Sequence, residues 1–277
     1  MDDVEFYLKD LASRFPKNRE DYYLSYSGGK DSHFLYWFIK EYLHDDKIEI
    51  VGVNTYMEHP QILKRIMDNS DVVLLPDMPP FFIKRKYGSP CFSKMHDEMI
   101  SRYQRGNRSD NTMNYIMGKN PVFKLNNKAR ELLLSGSLHK VSNKCCEMLK
   151  KRPLKRYAKA SKKHAILGVC GFESKLRKSQ YKSCFQKDGT FTPLWNITQE
   201  LMDKIYDRYN IELPPIYQEI DRTGCMGCPY APKDNIEKEL RLVTKAQRKF
   251  LGEYFKESYE VLGIDIEAIK KECGDDV

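Results

Sequence analysis

Tyr22-Tyr23-Leu24-Ser25-Tyr26-Ser27-Gly28-Gly29-Lys30-Asp31-Ser32-His33-Phe34-Leu35-Tyr36-Trp37 is the stretch that decides the fold. Tyr22 to Tyr26 is a short strand-like run, a glycine pair interrupts it, and Asp31 to about Leu43 reads as a helix rich in apolar residues. Working outward, Ile48 to Val53 and Asp71 to Leu75 have the look of further buried strands, with a helix at about Pro60 to Asn69 between them. Alternating strands and helices predict an α/β fold built on a doubly wound parallel sheet. A fourth strand is expected at Ala165–Val169 and a helix at about Gln199–Tyr209. Val4, Tyr7, Leu8 and Leu11 fall at helical spacing and predict an N-terminal helix within residues 1–20.

From Pro79 to Pro121 the periodicity is lost while Gly, Pro, Asn and Arg accumulate, which reads as a long insertion over the sheet's ligand edge with one internal helix near Lys94–Tyr103. After Pro232, Ile236, Leu240, Val243, Phe250 and Tyr254 mark the apolar face of a helical C-terminal segment. The expected organisation is therefore residues 1–20, a main α/β domain over 21–232 with the insertion at about 79–121, and a helical segment over 233–277.

The chain has 277 residues, 41% of them hydrophobic, and a formal net charge of +8. The positive charge is concentrated: between His139 and Lys182 there are 14 Lys and Arg against two acids, Glu147 and Glu173. Such a stretch is an anion site, a nucleic-acid face toward tRNA or DNA with Tyr157 available for stacking, or a solvated helix face. The N-terminus lacks an apolar core of signal-peptide length and no other apolar run approaches a membrane span, so a cytoplasmic protein with no membrane partner is expected. Eight cysteines in a reducing compartment point to metal binding or catalysis, not to a disulfide framework.

Ser27-Gly28-Gly29-Lys30-Asp31-Ser32 sits where backbone N–H groups and the positive end of a helix can hold phosphate. Gly28 and Gly29 let the backbone approach a pyrophosphate, Lys30 offers a cation, and Ser27 and Ser32 offer hydroxyls. Asp31 is expected to cap the helix and to partner magnesium indirectly. The order of residues is not that of a Walker A loop, which disfavours a kinase or motor ATPase. Read without context, the same string is a Gly-Gly turn capped by an aspartate. The second constellation is Cys145-Cys146 with Cys225-Met226-Gly227-Cys228, the two separated by 78 residues. Together these supply four thiolates of the kind that bind a [4Fe-4S] cluster or zinc. Cys91, Cys170 and Cys184 are expected to be core or incidental, and none of the six histidines has metal-ligand spacing.

The glycine loop resembles the signature of the N-type ATP pyrophosphatases, the adenine nucleotide alpha hydrolase-like PP-loop proteins, which cleave ATP between the α and β phosphates to adenylate a substrate. Asn54-Thr55-Tyr56-Met57-Glu58-His59-Pro60 looks like their Asp-Thr-Gly-x-x-x-Pro turn near the adenosine, with departures at Asn54 and Tyr56. Cys145-Cys146-Glu147-Met148-Leu149-Lys150-Lys151-Arg152-Pro153-Leu154 resembles the cysteine-pair segment of the phosphoadenosine-phosphosulfate (PAPS) reductase family. Further matches are Gly168 through Glu173-Ser174 to Arg177, Pro193-Leu194 with Asn196 and Trp195 one place early, and Arg222-Thr223-Gly224-Cys225. The resemblance implies a [4Fe-4S] cluster on Cys145, Cys146, Cys225 and Cys228, Lys150 near cluster and substrate phosphate, and Arg177 on the nucleotide anion. It also implies nucleotide contacts from Asn54, Thr55, Gly168, Glu173 and Ser174.

Two chemistries share this scaffold. In sulfonucleotide reductases a C-terminal Glu-Cys-Gly segment supplies the attacking thiolate, and this chain ends Lys271-Glu272-Cys273-Gly274-Asp275-Asp276-Val277, without the usual histidine and with two acids after the glycine. A helix end capped by Gly274 explains the same residues. The complete SGGKDS loop instead resembles members that handle ATP with Mg²⁺, which gives an ATP pyrophosphatase that adenylates a substrate for sulfur transfer, similar to the iron–sulfur enzymes of nucleic-acid thiolation. Such an enzyme needs a sulfur or electron donor protein as partner. A non-catalytic module that binds nucleotide or nucleic acid is the remaining alternative.

Overall fold

The computed structural model describes residues 2–119, 122–173 and 182–275. The chain forms two compact units, one made of Met1–Asn54, Pro60–Leu75 and Arg152–Thr223, the other of Thr55–His59, Pro76–Lys151 and Gly224–Val277.

The first unit is the parallel sheet. Its strands β1 (Tyr22–Tyr26), β2 (Glu49–Val53), β3 (Val72–Leu74) and β4 (His164–Ile166) run in the order β3-β2-β1-β4, all parallel. The register sets Leu24 beside Ile50 on one side and Ile166 on the other. The chain thus steps outward from β1 to β2 to β3 and then returns to the opposite side of β1. That reversal makes the carboxyl end of β1 a topological switch point, the position where open α/β sheets bind ligands.

Strand pleating divides the side chains between two faces. Leu24, Tyr26, Ile48 and Ile50 join one buried core with Leu8 and Leu11 of helix α1 (Asp3–Arg14), Phe34 and Leu35 of α2 (Lys30–Trp37) and Ile62 and Ile66 of α3 (Pro60–Asn69). On the opposite face the Tyr23 ring meets Tyr157 edge-on at 5.0 Å. The Tyr157 hydroxyl donates to the Glu49 carboxylate. Tyr157, expected as a stacking surface, is therefore engaged in packing. Helices cover both sides of the sheet, as the doubly wound reading requires. The predicted face Val4, Tyr7, Leu8, Leu11 is the buried face of α1, whose cap is Asp2 accepting from Glu5 N at 2.9 Å.

The second unit is helical. Helices α4 (Pro80–Tyr87), α5 (Lys94–Gln104), α6 (Asp110–Ile116), α7 (Asn127–Leu134) and α8 (Lys144–Cys146) precede the unit boundary. The insertion at about 79–121 is thus more ordered than the single expected helix, holding α4, α5 and α6: its Ile100 and Ile116 share a core with Ala129 and Leu133 of α7, in which Cys91 is fully buried. In the first unit α9 (Arg152–Ser161) and α10 (Gln199–Arg208) follow, and the second resumes with α11 (Lys233–Leu242), α12 (Lys245–Tyr254), α13 (Lys256–Leu262) and α14 (Ile266–Glu272). The apolar positions predicted after Pro232 largely hold, with Ile236, Leu240, Val243 and Tyr254 buried and Phe250 exposed. Among the described residues no helix is long and apolar enough to cross a membrane.

Candidate functional site

The loop after β1 is closed by its own serines. Ser27 N donates to Ser32 Oγ at 3.2 Å, the two hydroxyls lie 3.0 Å apart, and Ser32 Oγ donates to the Gly29 carbonyl at 3.0 Å. Gly28 has φ +70, and a Cβ there would stand 3.0 Å from Ile62 and Ile66 atoms, so both backbone and space demand glycine. The residue at the N-cap of α2 is Gly29, with no side-chain cap; Asp31 lies in the first turn, two positions inside the capping position. Gly168 passes so close to this turn that a Cβ would sit 2.9 Å from the Asp31 carbonyl carbon and 3.0 Å from Ser32 N.

Ser27, Gly29, Lys30, Asp31, Ser32 and Gly168 line one cleft of about 760 Å³ in the first unit. Its other walls were not foreseen. Asp203 on α10 holds Lys30 Nζ at 2.6 Å, and the Tyr206 ring lies 5.2 Å below the same ammonium. The Tyr206 hydroxyl donates to the Lys30 carbonyl at 2.6 Å, and Lys30 N donates to the Tyr217 hydroxyl at 2.9 Å. Burial raises both phenols, whereas burial of the Asp203 carboxyl is outweighed by hydrogen bonds from Lys30 and Gln199, which lower it. Arg222 and Thr223 also line the cleft, and Thr223 Oγ1 is 2.8 Å from the Tyr217 hydroxyl. These two had a sequence signal, since they precede Cys225 in the matched segment; Asp203, Tyr206 and Tyr217 had none. Asn54 closes β2 by donating its N–H to the Leu74 carbonyl at 3.0 Å. Ser174, Arg177 and the Glu173 side chain lie outside the described residues.

In the second unit Cys145, Cys146, Cys225 and Cys228 line one small cavity with Met57, Leu149, Lys150 and Tyr254. Met226 N donates to the Met57 carbonyl at 2.7 Å, which fixes the start of the Cys225–Cys228 turn. Gly227, at φ +58, completes it: a Cβ would lie 2.4 Å from the Tyr259 hydroxyl, which donates to the Gly227 carbonyl at 2.7 Å. Gly227 N in turn donates to the buried Glu239 carboxyl at 2.8 Å. All four cysteines are free thiols, and among the described residues no three His, Cys, Asp or Glu side chains close on a single ion position.

The cavity is electrostatically polarised. Cys146 is pulled down, first by the hydrogen bond from Cys145 and then by Lys94, Lys150 and Lys151, while Cys145 is pushed up by the same hydrogen bond and by burial. Burial also raises Cys225 and Cys228, against the opposing field of Lys150. Lys150 is held up chiefly by Cys225, and its Nζ lies 3.7 Å from Glu58 Oε1. Glu58 is buried and accepts from Thr55 N at 2.9 Å and Thr55 Oγ1 at 2.6 Å. Thr55, assigned by resemblance to the nucleotide turn, is fully buried and its hydroxyl is committed to Glu58. Cys273 follows α14 as its C-cap, with Gly274 at φ +70 and Asp275 bound to buried Arg248 at 2.6 Å. This is the geometry of a capped helix end.

Comparison with solved structures finds similarity to phosphoadenylyl-sulfate (PAPS) reductase from Candida auris, crystallised as a phosphate complex, at 12% identity over 78% of this chain and 83% of that one, with a TM-score of 0.42. No curated protein sequence matches. Residues 21–231, well over half of the chain, match the family model of the phosphoadenosine phosphosulfate reductase domain. With the parallel sheet, the glycine loop at its switch point and the cysteine pair in place, the chain belongs to the PAPS reductase family of the adenine nucleotide alpha hydrolase-like superfamily.

Proposed function

We propose that this member of an enzymatic family uses ATP as an adenylating reagent for sulfur transfer to a nucleic acid. The observation that carries the reading is the complete Ser27–Ser32 loop, closed on itself and lining a nucleotide-sized cleft with Lys30 at its edge. In the proposed reaction an acceptor oxygen attacks the α-phosphorus as the α–β bridging oxygen leaves with pyrophosphate; a sulfur nucleophile then bonds to the adenylated carbon and AMP departs with the oxygen. Lys30 neutralises charge on the leaving pyrophosphate, and Asp31 orients the Mg²⁺ that enters with ATP. Exchange of Lys30 from Asp203 to phosphate accompanies binding.

Four thiols around one cavity, beside a lysine and inside an apolar wall, are a donor set that fits an iron–sulfur cluster. We assign Cys145, Cys146, Cys225 and Cys228 as its holders; when bound, a [4Fe-4S] cluster would supply the site that retains or delivers sulfur. Zinc is the competing occupant of the same thiols. Lys150 offsets the negative charge of the thiolates, and the buried Glu58 holds Lys150.

The family match itself favours a second reading, a thiol-dependent sulfonucleotide reductase acting through Cys273. The tethered helix end around Cys273 weighs against it. Anaerobically purified protein, assayed in parallel with ATP and with adenylyl sulfate, separates the two. Pyrophosphate release from ATP that is lost in Lys30→Ala is the expected result; sulfite release abolished by Cys273→Ser would transfer the conclusion to the reductase. Iron and acid-labile sulfide in near-equal amounts are expected, and a colourless protein with one zinc removes the cluster assignment.

A further inference from the structure

The second unit carries a cationic cleft that the adenylation chemistry does not use. Lys94 and Arg102 project from α5, Arg105 caps its C-terminus, and Lys144 and Lys151 border the same hollow of about 450 Å³, which also reaches Cys146. Two carboxylates, Glu98 and Glu147, accompany these five cations. Glu98 is paired with Arg102. Among the described residues Lys94, Arg105 and Lys144 have no ion-pair partner, so like charges are gathered in a concave surface where an incoming anion relieves their repulsion.

A second observation is independent of charge. Helix α4 packs against α8, the segment that brings Lys144 to the cleft. It is firmly seated: Ile83 is buried, Lys84 Nζ is 2.8 Å from Glu257, and the Tyr254 hydroxyl donates to the Pro80 carbonyl at 3.1 Å. Yet Phe81 and Phe82 are 61% and 54% exposed, edge to face at 6.2 Å, and Arg85 and Lys86 follow one turn later on the same face. Two rings held in water by an anchored helix, with cations one turn away, make a stacking platform for bases rather than an apolar docking patch.

We propose that these two features form one nucleic-acid face, in which the phosphodiester backbone enters the Lys94/Arg105/Lys144 cleft and unpaired bases stack on Phe81 and Phe82. The inference rests on the reading that the sulfur acceptor is a nucleic acid and identifies the surface that binds it. The cleft places the bound backbone beside the segment carrying Cys146.

The test is fluorescence anisotropy of the full chain with a labelled single-stranded oligonucleotide and its duplex, over a range of salt. Wild type binds the single strand, and log K falls linearly with log salt. Lys94→Gln/Arg105→Gln/Lys144→Gln weakens binding about tenfold or more and lowers the salt slope by about 0.7 for each phosphate that is no longer neutralised. Phe81→Ala/Phe82→Ala weakens single-strand binding about fivefold or more and leaves the slope unchanged. Removing exposed phenyl rings relieves apolar exposure, so this variant keeps its fold, which far-ultraviolet circular dichroism checks. Lys47→Gln, in the other unit, binds as wild type. Cleft and platform variants that bind as wild type would overturn the proposal, as would binding that inorganic phosphate at equal phosphate concentration abolishes. Pyrophosphate release is measured alongside: release without oligonucleotide binding sinks this inference alone, and binding without release sinks the ATP reading alone.

Discussion

At Tyr56 a single dihedral joins sequence to family. The turn that opens Asn54-Thr55-Tyr56 has φ +66 at Tyr56, a conformation that costs an L side chain about 1–2 kcal/mol, and it is the position where the resembled turn carries glycine. The backbone has kept the shape while the residue that relaxes it has changed. Tyr56→Gly is therefore expected to be more stable than Tyr56→Ala by about 1 kcal/mol in urea unfolding, the reverse of the usual order; equal midpoints would show that the turn relaxes instead. The Lys30–Asp203 pair makes a second residue-scale prediction. Asp203 competes with phosphate for the ammonium, and its half-exposed side chain places the pair among weak surface contacts. Asp203→Asn should tighten ATP binding by about two- to fivefold in calorimetry, and weaker binding would make Asp203 a positioning group. Lys30 could be read from the sequence because its chemistry is local to the loop. Its partner lies 173 residues away, and no spacing rule reaches that far.

Elements were legible in proportion to their length and regularity. The 12 residues of α1 expose a full helical period, so Val4, Tyr7, Leu8 and Leu11 announced their face; α4 and α6, with 8 and 7 residues, give barely two turns and left the insertion looking irregular. The strands β3 and β4, three residues each, came out shorter than the apolar runs that announced them, because hydrophobicity continues past the last ladder bond. The Asp31 cap failed for a related reason: the helix begins at Lys30, two residues earlier than a cap at Asp31 requires, which a glycine N-cap permits. What fixes the loop is the chain after β4 crossing the first turn of α2 at Gly168. Gly168→Ala would drive a methyl group into the Asp31 carbonyl, backbone against backbone, where no side chain can yield. The expected result is a destabilisation of about 1–3 kcal/mol with a larger loss of ATP affinity, measured by thermal unfolding with and without nucleotide. Ligand-dependent stabilisation retained at the wild-type size would show that the crossing does not shape the phosphate loop.

For the whole molecule the sharpest test is the pH dependence of unfolding, because buried titratable groups in both units act in opposite senses. Burial lowers His33 to about 3, while its Nδ1 is 2.9 Å from the Tyr26 hydroxyl; His59, His96 and His139 are lowered by burial as well. As pH falls through the ordinary histidine range near 6.5, the unfolded chain takes up protons that the folded chain refuses, so stability declines toward acid. Glu239 and Asp97 work the other way. Burial raises Glu239 to about 7 and Asp97 to about 6, so the folded chain holds protons that the unfolded chain has released, and stability is lost as pH rises through those values. The wild-type curve alone does not separate these contributions, but differences from variants do. Glu239→Gln keeps an acceptor for Gly227 N and never ionises, so its midpoint relative to wild type should rise by about 5 °C between pH 5 and pH 8. His33→Asn should gain on wild type in the other direction, as pH falls from 7 to 5. A Glu239→Gln difference that stays flat with pH would mean that water reaches the carboxyl and that the Cys225–Cys228 turn is not held by a buried acid.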